Sequence, residues 1–301
     1  MWNADATTSN SILNNYRIAA ILRSPAYSPN HIGADAQILM AVCARLRKRG
    51  REVAVYSEPE LQNGDVDEEI VLSMCRDRRS IEILRQMEDS GTLIVNSPYG
   101  IENCKRGIMA PLLTQAGVGY VDSITVETDR LVTDVITKAG MSRCWVKRAD
   151  FHSMHKEDIT FARDPREAQR VLQEYFLRDI RSAVIERHID GNLVKFYGVR
   201  STDFFHYYYP AGADAEGENL PPVYNFSTDT LKRNAARAAD VLGIDIYGGD
   251  CIVSQSGQIT IINFNDWPSF STCSDEAAPA IASVILSKIK QKFNVRRKNR
   301  Q

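Results

Sequence analysis

The chain has 301 residues, 44% of them hydrophobic, and a formal charge of −1, which describes a protein with a large core divided into two or three units. A charge this close to zero gives no support to a nucleic-acid partner, although the tail from Arg296 to Arg300 is locally basic in the manner of a solvated end. No apolar run is long enough to span a bilayer and the polar start Met1 to Asn10 is not a signal peptide, so the expectation is a cytoplasmic protein with no membrane partner.

After a polar arm of about fifteen residues, Arg17 to Leu22 reads as a buried strand and Ala34 to Arg49 as a helix stopped by Gly50. Glu52–Tyr56, Ile70–Met74 and Thr92–Asn96 read as further strands, with a short helix over Ser80–Glu88. Strands alternating with helices predict a parallel, doubly wound sheet. A helix follows from Ile101 to Ala116, with a kink expected at Pro111, and another from Asp129 to Ala139. Cys144–Lys147 and Ile159–Ala162 read as strands, and Pro165 starts a helix that reaches Leu177. Val184–Ile189 and Leu193–Arg200 are strands joined by the turn Asp190-Gly191-Asn192, and Phe204–Tyr209 pairs onward. The segment Pro210–Val223 is a solvent loop, Thr228–Leu242 a helix, and Asp275–Phe293 the closing helix. The six cysteines lack CxxC spacing and mostly sit in apolar segments, the pattern of reduced structural thiols.

The most informative stretch runs from Leu242 to Pro268. It reads as two buried strands joined by the turn Ser254-Gln255-Ser256-Gly257. Asp250 lies on the first strand, and Asn263 and Asn265 lie two apart on the second, so a period of two puts both amides on one face. Three oxygen ligands converging from adjacent strands are suited to Mg²⁺ held against a nucleotide's phosphates. An ordinary hairpin with an Asx-rich exit is the other reading of the same residues. Lys147, in the strand Trp145-Val146-Lys147, is a cation among apolar neighbours, which is costly unless it is paired or has a ligand.

In this order the segments resemble the ATP-grasp superfamily over nearly the whole chain. The resemblance implies an ATP-grasp fold of mixed α/β class: residues 1–100 as a doubly wound domain that includes a short disordered arm, 101–182 as a central subdomain, and 183–301 as a C-terminal subdomain. The two subdomains would clasp ATP. Among the branches, the chain is similar to the ribosomal-protein glutamate ligase-like group. The segments Leu193–Val199 and Gly243 to Pro268 are also similar to the inositol trisphosphate 5/6-kinases.

Residue by residue, the resemblance implies that Lys105 and Lys147 approach the phosphates and that Glu186, Arg187 and His188 form the hinge against the adenine. It puts Asp190 near the ribose and Lys195 facing the phosphates. Arg200 and Lys232 would reach toward the second substrate, and Asp250, Asn263 and Asn265 would hold Mg²⁺. The loop Asp150–Asp158 takes the place of the family's phosphate flap but has no glycine. There His152, Ser153, His155 and Lys156 offer side-chain donors to an anion, or the histidines are simply surface residues. At Asn263 the family has a bridging carboxylate, and an amide brings no charge. A unit pair at 4 Å is worth roughly 4 kcal/mol at an effective dielectric near 20. Either Asp266 compensates through a bulge, one metal suffices, or activity is reduced.

The expected function is an ATP- and Mg²⁺-dependent ligase joining a carboxylate acceptor to an amine through an acyl phosphate. The alternatives are a small-molecule kinase of the inositol phosphate type and an ATP-binding protein with a decayed metal site. The partners implied are small-molecule or peptide substrates, and a homodimer is compatible with the family.

Overall fold

A computed structural model describes residues 16–28, 32–149, 156–210 and 223–298. Its strands form three four-stranded sheets. The first contains β1 (Ile18–Ile21), β2 (Val53–Tyr56), β3 (Ile70–Ser73) and β4 (Leu93–Val95), all parallel, in the order β2-β1-β3-β4. β1 and β3 are buried along their whole length, as parallel strands covered on both faces must be. Helix α1 (Ile32–Lys48) covers one face, whereas α2 (Glu58–Asn63) and α3 (Arg78–Asp89) cover the other. The sheet is therefore doubly wound, as the alternation of elements predicts.

The sequence reading leaves α2 unassigned, yet its start carries a capping box in which Ser57 and Glu60 satisfy each other's backbone donors. Asp77 caps α3 by accepting from the Arg79 and Ser80 amides at 2.9 and 3.3 Å.

The expected helix from Ile101 to Ala116 is two helices, α4 (Pro98–Asn103) and α5 (Arg106–Gln115). The break falls at Lys105, whose backbone is extended at φ −65°, ψ 131°, while Pro111 lies inside α5 without ending it. That break turns Arg106 inward, where it is buried.

The second sheet is antiparallel, in the order β5-β8-β6-β7, from β5 (Ser123–Glu127), β6 (Cys144–Arg148), β7 (Ile159–Ala162) and β8 (Ser182–Arg187). Helices α6 (Thr133–Lys138) and α7 (Pro165–Leu177) cover one face over Cys144, Val146, Ala183 and Ile185. By alternation Trp145, Lys147, Val184 and Glu186 face the other way. β5 is a strand that the sequence reading does not anticipate, and α6 starts four residues later than expected.

The third sheet, in the order β10-β9-β11-β12, joins β9 (Asn192–Val199), β10 (Phe205–Tyr208), β11 (Ile246–Val253) and β12 (Ile259–Asp266). One face packs on α5 and on α8 (Thr228–Leu242) through Val194, Phe196, Cys251 and Phe264. The closing helix α9 (Ser274–Lys298) returns to the first sheet, where Ile281, Ile285 and Ile289 join Ile38, Val42 and Leu46 of α1 in a single core.

Among the described residues no helix is long and apolar enough to cross a membrane. All six cysteines are free and buried. Burial pushes the Cys43, Cys144 and Cys273 thiols up to about 11 and Cys251 up to about 12. At pH 8 the thiolate fraction at a pKa of 11 is about one in a thousand. The expected result with Ellman's reagent is no reaction of the native protein within minutes and six equivalents after denaturation. A fast-reacting native thiol would show that one of these sites opens.

Candidate active site

The second and third sheets face each other across a cleft, and the chain passes between them at Arg187–Ile189. β6 and β8 bring Trp145, Lys147 and Glu186 to one wall; β9, β11 and β12 bring Leu193, Lys195, Asp250, Ile252, Ile262 and Asn263 to the other. Together these residues line a slot of about 330 Å³ whose inner surface is mostly apolar at Trp145, Ile159, Leu193, Ile252 and Ile262. Side chains brace this passage. The Trp145 indole N–H donates to His188 Nδ1 at 3.1 Å, so that ring carries its proton on Nε2 and donates it to Asp190 Oδ1 at 3.1 Å.

Lys147 closes the floor of the slot. Its ammonium is ion-paired with Glu186 and donates to the carbonyl of Ile262 at 3.3 Å. The second oxygen of Glu186 accepts from the Tyr120 hydroxyl at 3.2 Å. Burial lowers the Lys147 pKa, the Glu186 charge opposes that shift, and Arg106 adds to it.

The carbonyl of Ile262 is available because β12 carries a bulge. Asp250 pairs with Asn263, but Cys251 pairs with Ile261, which leaves Ile262 as the extra residue. Beyond the bulge the alternation resumes. Asn263 and Asn265 face the cleft, and Phe264 lies in the core.

One cross-strand row runs Lys195–Asp250–Asn263, and the next runs Tyr197–Gly248–Asn265. Lys195 Nζ lies 3.2 Å from Asp250 Oδ1, and the Asn263 amide donates to Asp250 Oδ2 at 3.1 Å. The Asp250 charge raises the Lys195 pKa. A Cβ at Gly248 would meet Pro268 Cγ and Tyr197 Cδ1 at 2.8 Å, so glycine keeps the second row open.

The slot continues into a wider, polar chamber of about 450 Å³, with Arg106, Ile159, Lys195, Asp250 and Asn263 shared between them. Its far wall comes from the first sheet, at Arg23, Tyr27, Asp35 and Arg76. Asp266 does not supply the charge missing at Asn263. It points away from the Lys195–Asp250–Asn263 row, is wholly buried, and pairs with Arg76 at 3.2 Å and Arg23 at 3.8 Å.

Other expectations are corrected by position. Lys105 does not line the slot or the chamber; its ammonium is 2.8 Å from Glu102, and the neighbouring Arg106 lines both instead. Arg200 pairs with Asp240 at 2.7 Å and lines a separate recess of about 250 Å³ together with Lys232. Asp190 is exposed and bonded to Arg143 at 3.2 Å rather than facing the slot. Arg187 lines the slot, but its guanidinium reaches out to Asp122 at 3.0 Å and to the Ala139 and Gly140 carbonyls. The expected flap donors His152, Ser153 and His155 lie outside the described residues.

The sequence reading missed Arg76 and Arg106. Arg76 was findable as a cation three residues past a fully buried strand, where loops carry function. Arg106 was hidden by the unforeseen break between α4 and α5.

This arrangement is a doubly wound sheet followed by two sheets that face each other across a cleft. Comparison with solved structures identifies it as the ATP-grasp fold. The D-alanine–D-alanine ligase from Bacillus anthracis, solved in complex with ATP, superposes with a TM-score of 0.65 at 17% identity, over 94% of this chain and 99% of that one. D-alanyl-alanine synthetase A from Vibrio cholerae gives 0.68 at 11% identity, over 92% and 99%. A RimK-domain ATP-grasp protein from Sphaerobacter thermophilus gives 0.65 at 14% identity, over 90% and 98%. A scan against protein-family models and a search of curated proteins by sequence both find no match.

Proposed function

We propose that the protein is an ATP-dependent ligase that joins a carboxylate to an amine through an acyl phosphate. The observation that carries this reading is the continuity of the cleft. An apolar slot sized for a purine, with Lys147 and Lys195 on its walls, opens into a cationic chamber with room for a second small substrate. The structural neighbours, among them the D-alanine–D-alanine ligase and D-alanyl-alanine synthetase A, support the same class of reaction.

In this reading the base lies among Trp145, Leu193, Ile252 and Ile262, with the Arg187–Ile189 backbone along its edge. Lys147 and Lys195 hold the phosphate oxygens. The acceptor carboxylate attacks the γ-phosphorus and ADP leaves; an amine then attacks the acyl carbon and phosphate leaves. Catalysis by position and charge needs no protein nucleophile.

Asp250, Asn263 and Asn265 provide one carboxylate and two amide oxygens. Among the described residues no group of three acidic, His or Cys side chains gathers to hold a metal. The set fits a single Mg²⁺ that shares its remaining ligands with phosphate and water. When bound, the ion neutralises charge on the transferring phosphoryl group. Lys195 and Asn263 bond both oxygens of Asp250. That occupancy favours, as a second reading, a protein that binds nucleotide without turnover.

The test is thermal unfolding with ADP or ATP, with and without Mg²⁺. Ligand at a hundred times its dissociation constant adds about 2.7 kcal/mol, and the expected result is a saturable, Mg²⁺-enhanced rise. Asn263→Asp should strengthen the Mg²⁺ dependence, and an unchanged dependence would remove Asn263 from the ligand set. No nucleotide response at millimolar concentration would end the ATP reading. Nucleotide binding without ADP release in the presence of carboxylate and amine pools would select the second reading. A product that gains only a phosphate would make the enzyme a kinase.

A further inference from the structure

The far wall of the chamber is built at a particular place in the first sheet. In the order β2-β1-β3-β4, the chain leaves β1 for α1 on one face and β3 for α3 on the opposite face. Adjacent strands whose connections depart to opposite faces leave a crevice at their carboxyl ends, and ligands of open α/β sheets bind in that crevice. Arg23 and Arg76 stand there, two residues beyond the end of β1 and three beyond the end of β3.

The two arginines are used differently. Arg23 is committed to the protein: Nε donates to the Met74 carbonyl at 3.2 Å, Nη1 to Asp35 at 2.9 Å, and Nη2 to the Trp267 carbonyl at 2.8 Å. The Arg76 side chain, only 11% exposed, bonds among the described residues through Nη2 alone, to the carbonyl and carboxylate of Asp266 at 3.2 Å. Its Nε is buried without a partner among them. A guanidinium has five N–H donors in a planar fork matched to carboxylate or phosphate oxygens. Asp266 is shared with Arg23, so the pair does not saturate Arg76, and Arg106 adds a third cation to the lining of the chamber.

We infer that Arg76 is the specificity-determining residue of an acceptor subsite at this crevice, and that the acceptor carries a second anionic group that docks on its guanidinium. The reacting end of the acceptor then lies toward Lys195 and Asn265, at the mouth of the slot. This rests on the reading of the cleft as a nucleotide and acceptor site. Burial lowers the Arg76 pKa to about 10, which leaves it charged at neutral pH.

The experiment uses the full chain with MgADP and two families of probe. Succinate is compared with propionate, and methylphosphonate with neutral methanol, each followed by thermal shift. The expected result is a saturable rise with succinate or methylphosphonate and none with its uncharged-end counterpart. Arg76→Lys keeps the charge that holds Asp266 but loses the fork, and should weaken that probe by about tenfold, equivalent to about 1.4 kcal/mol, while leaving the MgADP response within about twofold.

A second readout needs no variant. Phenylglyoxal labelling of wild-type protein, mapped by mass spectrometry, should modify Arg76 slowly and should be blocked by the anion that binds. A succinate response attributes the anion to a carboxylate, and a methylphosphonate response attributes it to a phosphoryl group. Succinate shifts no larger than propionate's together with methylphosphonate shifts no larger than methanol's, or labelling of Arg76 that no anion slows, would overturn the inference. Loss of the MgADP response with the anion response intact would instead strike only the nucleotide reading.

Discussion

Lys147→Ala is expected to lower the unfolding free energy by about 3–5 kcal/mol and to abolish the nucleotide response. The stability loss follows from Glu186, which is 2% exposed at its side chain and would keep only the Tyr120 hydroxyl as a partner. A buried carboxylate that loses its ion-pair partner is costly because one hydroxyl does not replace the lost charge. The loss of nucleotide response has a different origin, the missing ammonium at the floor of the slot. The double variant Lys147→Met/Glu186→Gln separates the two effects. Removing both charges together leaves no stranded ion, so stability should return to within about 1 kcal/mol of wild type, whereas the response to MgADP should remain absent. Urea unfolding of the three proteins, with and without nucleotide, reads both quantities. A double variant that regains its nucleotide response would remove Lys147 from the proposed site.

A loss of similar size is expected from Asp266→Ala, although Asp266 is no longer a candidate for the metal. Its carboxylate is wholly buried and faces Arg23 and Arg76, which themselves are 5% and 11% exposed at the side chain. Without it, two buried guanidinium groups are left with Asp35 as their nearest counter-charge, at a cost of about 3–5 kcal/mol. Asn265→Ala is the natural control, because it lies one position away but faces the open chamber, and it should cost less than about 1 kcal/mol. Equal effects at positions 265 and 266 would mean that β12 does not alternate there as described.

That contrast also shows what a sequence can and cannot disclose. Alternation along β12 is a local property, so Asn263 and Asn265 were legible as neighbours on one face, and Lys147 was conspicuous as a cation in an apolar strand. The parallel first sheet was legible from short buried runs alternating with helices. The capping box at Ser57 and Glu60 was readable from its spacing. The partners of a charge are set by non-local packing and were not. Nothing near Asp266 in the chain announces Arg23 or Arg76, which lie 243 and 190 residues earlier. Nor does Arg200 reveal that Asp240 will claim it. Lys105 and Arg106 differ by one position, and which of them faces the cleft depended on a helix break whose cause is tertiary, since Gly107 bonds to the carbonyl of Ala149 at 3.3 Å.

The return of α9 to the first sheet has a consequence for how the protein is made. One face of β1 and β3 is covered by a helix synthesised about two hundred residues after them. Until Ser274–Lys298 emerges, Ile38, Val42, Leu46 and the strand residues beneath them lack the Ile281–Ile285–Ile289 stripe that buries them. The first sheet is therefore expected not to mature until that helix has emerged, and its uncovered face is open to aggregation before then. Chains stopped before Ser274 should be cleaved by low protease throughout residues 18–95, while the full chain resists, and equal resistance would show that the opening sheet matures without its last helix.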